Sequence, residues 1–144
     1  MSDLSSLISR VEKATGPDRE LDARIWAHFS GVKYVSHNAP YGDVHGRTQV
    51  EYTVPPKRTR VVTNLPRTPH AEPVTTSVDA AISLVERVLP GWDWGAESFG
   101  EDGAHGRVWK HGWHDDTVVR ADHSSPIIAL VLATLRALQF RDDA

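Results

Sequence analysis

The chain has 144 residues, with 16 basic and 19 acidic side chains, a formal net charge of −3 and no cysteine. This length is typical of one domain that buries its core without cross-links, so we expect a single domain over residues 1–144. The lack of cysteine excludes disulfides, thiolate zinc sites and thiol redox chemistry. The charge offers no basic stripe for phosphate backbones, so we expect no nucleic-acid partner.

The two ends of the chain predict a cytoplasmic protein. Residues 1–7 lack the basic region and continuous apolar run of a secretion signal. The apolar run at residues 126–133 is too short to span a bilayer. We therefore expect neither export nor a membrane partner.

Four segments show apolar residues at the three- and four-residue spacing of amphipathic helices. Gly16 ends the first helix, and Pro17 suits the first turn of the second. Thr76 or Ser77 caps the third, and the last is broadly apolar, which predicts a central place in the core. We expect these helices, in chain order, at residues 3–15, 18–29, 77–89 and 126–139.

Alternating apolar residues predict strands in two parts of the chain. Within the irregular residues 30–76, the pieces 49–54 and 59–64 predict a hairpin, which Pro55-Pro56 must interrupt. After the third helix, three segments separated by turn-forming residues predict an antiparallel meander. These three segments are residues 92–99, 107–113 and 117–121.

Helices before and after such a meander must cover its apolar faces. The predicted fold class is therefore α+β, a layered α/β/α sandwich with an antiparallel sheet covered by helices.

Three blocks of the chain resemble the phage ABA sandwich domain family. Residues 7–25 are similar to its opening, residues 75–85 with 90–94 to its middle helix and strand, and residues 125–138 to its closing helix. The most specific part is Gly16-Pro17-Asp18-Arg19-Glu20-Leu21-Asp22. The resemblance covers somewhat more than half of the chain and implies a helix-sheet-helix sandwich of phage or prophage origin, in a bacterial host cell. It implies no activity, and residues 30–73 depart from the short connection that it predicts.

Eight histidines raise the question of a metal site, which their spacing disfavours. The closest set combines His105, His111 and His114 with Asp115 and Asp116. On a strand, His111 and His114 point to opposite faces, and no pair shares the i, i+4 face of a helix. We therefore expect solvated loop histidines, no metal ion and no other cofactor.

One strand carries the main candidates for ligand binding. Alternation places Arg107, Trp109, His111 and Trp113 on one face, and a neighbouring strand repeats the pattern with two further tryptophans, Trp92 and Trp94. The sequence favours core packing for this face, because indole rings bury large areas. If part of the face is uncovered, it suits a planar or anionic ligand through stacking and charge-assisted hydrogen bonds.

A second candidate group is a set of basic side chains in the irregular stretch. A solvated edge is the simpler interpretation, since basic residues on edge strands discourage aggregation. The alternative is a rim that contacts a phosphate, to which Arg58 and Arg60 contribute as ligand-binding residues. The group consists of Lys57, Arg58, Arg60 and Arg67.

No catalytic residue is assigned, because the chain lacks a Gly-x-Ser-x-Gly elbow and its paired carboxylates are adjacent residues such as Glu101-Asp102. The leading hypothesis is a phage or prophage accessory protein that acts by binding. It would sequester an anionic, nucleotide-like small molecule or inhibit a host defence protein, and self-association as a homo-oligomer is left open. One alternative is a metal-assisted hydrolase that uses loop histidines and aspartates. The other is a virion or assembly protein that binds only protein.

Overall fold

The computed structural model describes residues 3–30, 34–38, 48–54, 59–64, 72–112 and 118–143. The chain divides into two compact units. Unit 1 comprises Met1–Asp18 and Pro73–Ala144, and unit 2 comprises Arg19–Glu72. The expected single domain stays a prediction. Within the ranges given above, no helix combines the length and apolar character needed to cross a bilayer.

The four predicted helices are confirmed, with ends within four residues of the expected positions. Ser77 caps the third helix as expected, since its Oγ accepts a hydrogen bond from the Ala80 N–H at 3.2 Å. In chain order the elements are α1 (Asp3–Lys13), α2 (Arg19–Ser30), β1 (Tyr34–Asn38), β2 (Thr48–Val54), β3 (Thr59–Asn64), α3 (Val78–Val88), β4 (Trp92–Ser98), β5 (Ala104–Lys110), β6 (Val119–His123) and α4 (Pro126–Asp143).

Unit 2 consists of α2 and an antiparallel sheet in the order β1-β2-β3. The predicted hairpin is confirmed, because β2 pairs with β3 in antiparallel register. The pairing of β1 with the other edge of β2 was not predicted from the sequence. The α2 helix lies next to β1 and β2. Pro55 and Pro56 lie outside the described residues.

The sheet of unit 1 is an antiparallel meander in the order β4-β5-β6, as predicted. The expected start of the middle strand at Arg107 is wrong, because β5 begins at Ala104. A 3-10 turn at Gly100–Asp102 completes most of the reversal, and Gly103 with φ of 89° leads directly into the strand. The Phe99 N–H closes the hairpin with a 2.7 Å hydrogen bond to the Gly103 carbonyl.

The α4 helix is the centre of unit 1. It packs against all three strands of the sheet and against α1 and α3. Ile128 and Leu135 are fully buried, as expected for a helix that is apolar on nearly every side. The buried Thr134 hydroxyl donates to the Leu130 carbonyl at 2.8 Å, so this polar group is paired inside the core. The α+β class, with an antiparallel sheet layered against helices, is confirmed.

Small residues form the part of the sheet that meets α4. Two buried alanines surround Gly106 on this face: Ala104 lies two residues before it in β5, and Ala121 lies opposite it in β6. A Cβ atom at Gly106 would overlap the Leu130 nitrogen and would lie 2.5 Å from the Leu130 Cα. Because these are backbone atoms of the helix, no side-chain rotation can make room for it. Gly106 therefore sets how closely α4 approaches the sheet.

We predict that Gly106→Ala destabilises the chain by about 3 kcal/mol, because the methyl group forces the helix away from the sheet. The matched control is Gly16→Ala, since a Cβ atom there meets nothing within 4 Å. The control should change the free energy of unfolding by less than about 0.5 kcal/mol. Urea denaturation measures both, and equal effects would contradict the role assigned to Gly106.

Candidate functional site

The strand register divides the side chains of the unit 1 sheet between two faces. Residues directly opposite each other in antiparallel strands point to the same face. Ala96 and Ala121 are opposite Gly106, so they share the face that meets α4. The other face, called the outer face here, carries Asp93, Gly95, Glu97, His105, Arg107, Trp109, Arg120 and Asp122.

The tryptophans of neighbouring strands lie on opposite faces of this sheet. Trp109 is on the outer face and is half-buried, whereas Trp94 is opposite Val108 on the face toward α4. The sequence favoured the prediction that the face of Trp109 packs into the core, and this prediction is therefore wrong. Val108 takes the core position with 0% exposure. The physical reason is the contact of Gly106 with α4, which turns the even-numbered residues of β5 toward the helix.

Trp109 and Arg107 lie together beside Gly95 of the neighbouring strand. An ideal Cβ position at Gly95 lies 3.5 Å from the Arg107 Nε and 3.8 Å from two carbons of the Trp109 ring. The Arg107 guanidinium lies 5.6 Å from the centroid of this ring, within the range of a cation–π contact. Both side chains thus flank the space that a side chain at position 95 would occupy.

Each arginine of the outer face is paired with an acid of the same face. The Arg107 Nη2 lies 3.4 Å from the Glu97 Oε1, and the Arg120 Nε lies 3.2 Å from the Asp122 Oδ1. These pairs are exposed, so each adds little to stability. The outer face has three acids and two arginines, so its charge is mixed and slightly negative. Such a surface does not favour the binding of a free anion.

His105 differs from the expected solvated loop histidine. It lies in β5 and is 7% exposed, with its ring centroid 4.9 Å from that of Phe99. Its Nε2 is 3.7 Å from the Glu97 Oε1. Among the residues that the structure describes, its buried Nδ1 has no hydrogen-bond partner.

His123 has a structural role that was not predicted from the sequence. Its Nδ1 lies 3.0 Å from the Ser125 backbone nitrogen, and its Nε2 lies 2.7 Å from the Ala14 carbonyl oxygen. Because the Ser125 N–H donates to Nδ1, we assign the ring proton to Nε2, which donates to Ala14. The ring therefore joins the residue after α1 to the start of α4.

An open groove of about 610 Å³ lies at one end of the unit 1 sheet, beside the 3-10 turn. Phe99 and Arg120 line it together with three acids, Glu101, Asp102 and Asp122. The carboxylates outnumber the single arginine named here, so the groove is also a poor site for a phosphate-bearing ligand.

The structure brings together part of the predicted ligand-binding set. Arg107 and Trp109 share the outer face, and His111 follows β5, where its Nδ1 lies 2.8 Å from the Asp93 Oδ2. Arg60 lies in β3 of unit 2, where it pairs with Thr53. Two further predicted residues, Arg58 and Trp113, lie outside the described residues.

Glu97 and Gly95 complete the local arrangement around Arg107, and neither was predicted from the sequence. Only the register of β4 with β5 shows that both residues lie next to Arg107.

In the described part of the chain, no group of three or more histidine and acidic side chains could hold a metal ion. His114, Asp115 and Asp116 lie outside that part.

We predict that His123→Ala lowers the free energy of unfolding by about 2 kcal/mol, because the Ala14 carbonyl and the Ser125 N–H both lose their partner. His111→Ala is the control, since the His111 side chain is 78% exposed. Its effect should stay below about 0.5 kcal/mol. If thermal and urea unfolding show no difference between the two variants, His123 does not join these segments.

Comparison with protein-family models, with curated proteins and with solved structures finds no match to this chain. The resemblance to the phage ABA sandwich domain family stays a prediction. The geometry of the outer face is therefore the basis on which a function can be proposed.

Proposed function

We propose that this chain acts by binding a protein target through the outer face of unit 1. The observation that supports the proposal most is the half-buried Trp109, held on β5 next to the exposed Arg107. Tryptophan and arginine are the side chains that most often dominate the binding energy of protein interfaces. A pair held on a strand and supported by mutual contact loses little conformational freedom on binding.

The charge pattern favours a protein over a nucleotide as the target. The Arg107 guanidinium lies within 3.4 Å of Glu97, so a phosphate would have to compete with a carboxylate for it. Opposite charges that alternate over a surface instead complement a partner of equally mixed charge, and such patterns give specificity. The acidic groove beside the 3-10 turn adds no attraction for anions.

A nucleotide-like small molecule is the second candidate. The observation in its favour is the guanidinium group over the indole ring of Trp109, since such a pair can stack a base and contact a phosphate. Calorimetry against cyclic and linear nucleotides and adenosine diphosphate ribose derivatives distinguishes the candidates. Binding that weakens with salt and with Arg107→Ala would favour the nucleotide.

The proposal includes an accessory role in a phage or prophage, with a host protein in the bacterial cytoplasm as the target. This part rests on the resemblance of residues 7–25, 75–85 with 90–94, and 125–138 to the phage family. A virion or assembly role would use the same protein-binding surface. The identity of the captured protein separates these two roles.

We predict that Trp109→Ala weakens target binding at least about tenfold, because it removes the largest apolar contact of the outer face. The immobilised chain is used to capture proteins from a bacterial lysate, and mass spectrometry identifies the captured proteins. The affinity of the chain for each purified target is then measured. Arg107→Ala is a second variant on the same face. Glu86→Ala, at an exposed position of α3, is the control and should bind like the original chain.

Circular dichroism and thermal melting show whether each variant is folded before its binding is compared. A target that binds the Trp109 and Arg107 variants as tightly as the original chain would contradict the proposed surface. Failure to capture any protein that can be confirmed with purified components would contradict the proposed function.

A further inference from the structure

The sheet of unit 1 has two edges, formed by β4 and β6. An edge strand presents backbone groups that can pair with another strand, and proteins usually protect such edges. At β6, the Arg136 Nη1 donates to the Arg120 carbonyl at 3.4 Å and so satisfies one acceptor within the chain. The β4 strand contains neither proline nor lysine, which are common protecting residues.

Two hydrogen bonds at the ends of the β4–β5 ladder show which backbone groups point inward. The Phe99 N–H donates to Gly103, and the His111 N–H donates to Gly91 at 3.4 Å. In antiparallel pairs, hydrogen-bonded and non-hydrogen-bonded positions alternate. The odd-numbered residues of β4 therefore exchange backbone hydrogen bonds with β5.

The even-numbered residues Trp94, Ala96 and Ser98 direct their N–H and C=O groups away from β5. Ala96 and Ser98 are exposed in the folded chain. Within the described ranges, these outward groups make no backbone hydrogen bond with another segment. The second half of β4 is thus an accessible template for one more strand.

We propose that two copies of this chain join through β4 in antiparallel orientation, centred on Ala96. The two three-stranded sheets then form one continuous sheet around a two-fold axis. In this register Ala96 is opposite Ala96 of the second copy, and Gly95 is opposite Glu97 of the second copy. The inference does not rest on the proposed function.

Charge on the outer face selects this register over its neighbours. Only shifts that keep even-numbered residues opposite each other preserve the backbone hydrogen bonds. Centring the pair on Gly95 would place Asp93 opposite Glu97 of the second copy, and centring it on Glu97 would place the two Glu97 side chains opposite each other. Like charges directly opposite each other destabilise a strand pair. Centring on Ala96 avoids both conflicts.

Arg107, whose Nη2 lies 3.4 Å from Glu97 of its own chain, supplies the charge that Glu97 of the second copy would share. Its Nε lies 3.5 Å from the Cβ position of Gly95, so its side chain already extends over the edge strand. Gly95 has no side chain to separate the two groups. The two-fold axis repeats the contact, so each dimer has two such ion pairs.

The dimer leaves the outer face accessible and doubles it. Trp109 of each copy lies on the same side of the continuous sheet, because odd-numbered residues of the two β4 strands are opposite each other and so point to the same face. A target with two equivalent sites would then bind more tightly through both copies than through one.

Sedimentation equilibrium over a wide range of chain concentration tests the dimer. We expect a mass approaching twice that of one chain at high concentration. Glu97→Arg and Arg107→Glu, each alone, should weaken dimerisation by about tenfold or more, since each reversal acts twice. The double variant should restore the dimer. The control is the reversed pair Arg120→Asp with Asp122→Arg on β6, which should leave dimerisation unchanged.

Ala96→Pro is an independent variant, because it removes an outward N–H that the ladder with β5 does not use. It should yield a folded monomer by circular dichroism and sedimentation. A monomer for the original chain at every concentration would overturn the proposal. A dimer that persists in Ala96→Pro and in both single reversals would also overturn it, because the copies would then join through another surface.

Discussion

The contact between Gly106 and the backbone of α4 determines the arrangement of unit 1. Leu130 lies so close to β5 that a single methyl group at position 106 would overlap it. The neighbouring Ala104 and Ala121 have small side chains on the same face, so α4 can approach the sheet closely there. Close packing here is favourable because α4 is apolar on nearly every side and buries its residues against the sheet, α1 and α3.

This contact also decides which side chains of β5 remain available for function. Since the even-numbered residues face α4, Arg107 and Trp109 must lie on the outer face. A second glycine, Gly95 on the adjacent strand, then leaves the space that these two side chains flank. The two glycines thus serve opposite faces of one sheet. Gly106 admits a helix backbone, whereas Gly95 admits an arginine and a tryptophan.

Much of the fold could be predicted from local patterns. Four helices followed from apolar spacing and caps such as Ser77, and the hairpin of β2 and β3 followed from alternation. The start of β5 could not be predicted, because the glycines before Arg107 have the composition of a turn. Gly106 is instead a strand residue selected by close approach to a helix, and one sequence does not distinguish these two uses of glycine.

The candidate site was predictable only in part, for a related reason. Alternation shows that Arg107 and Trp109 share a face, but it does not show which face meets the helices. Glu97 becomes a partner of Arg107 only through the register of β4 with β5. Similarly, His123 contacts Ala14, which is 109 positions away in the chain. The choice of face and the partners of Arg107 and His123 depend on contacts between distant segments, which local residue patterns do not show.

The central claim is that neighbouring residues of β5 lie on opposite faces of the sheet, one buried against α4 and one exposed. The reactivity of single introduced thiols tests this claim most directly, because the chain has no cysteine of its own. Arg107→Cys and Val108→Cys place a thiol at neighbouring positions of β5 on opposite faces. The arrangement described above predicts that the thiol at 107 reacts with a maleimide reagent in the folded chain nearly as fast as in the unfolded chain. The thiol at 108 should react only when the chain opens. Equal reaction at both positions, or protection at 107 with reaction at 108, would contradict it.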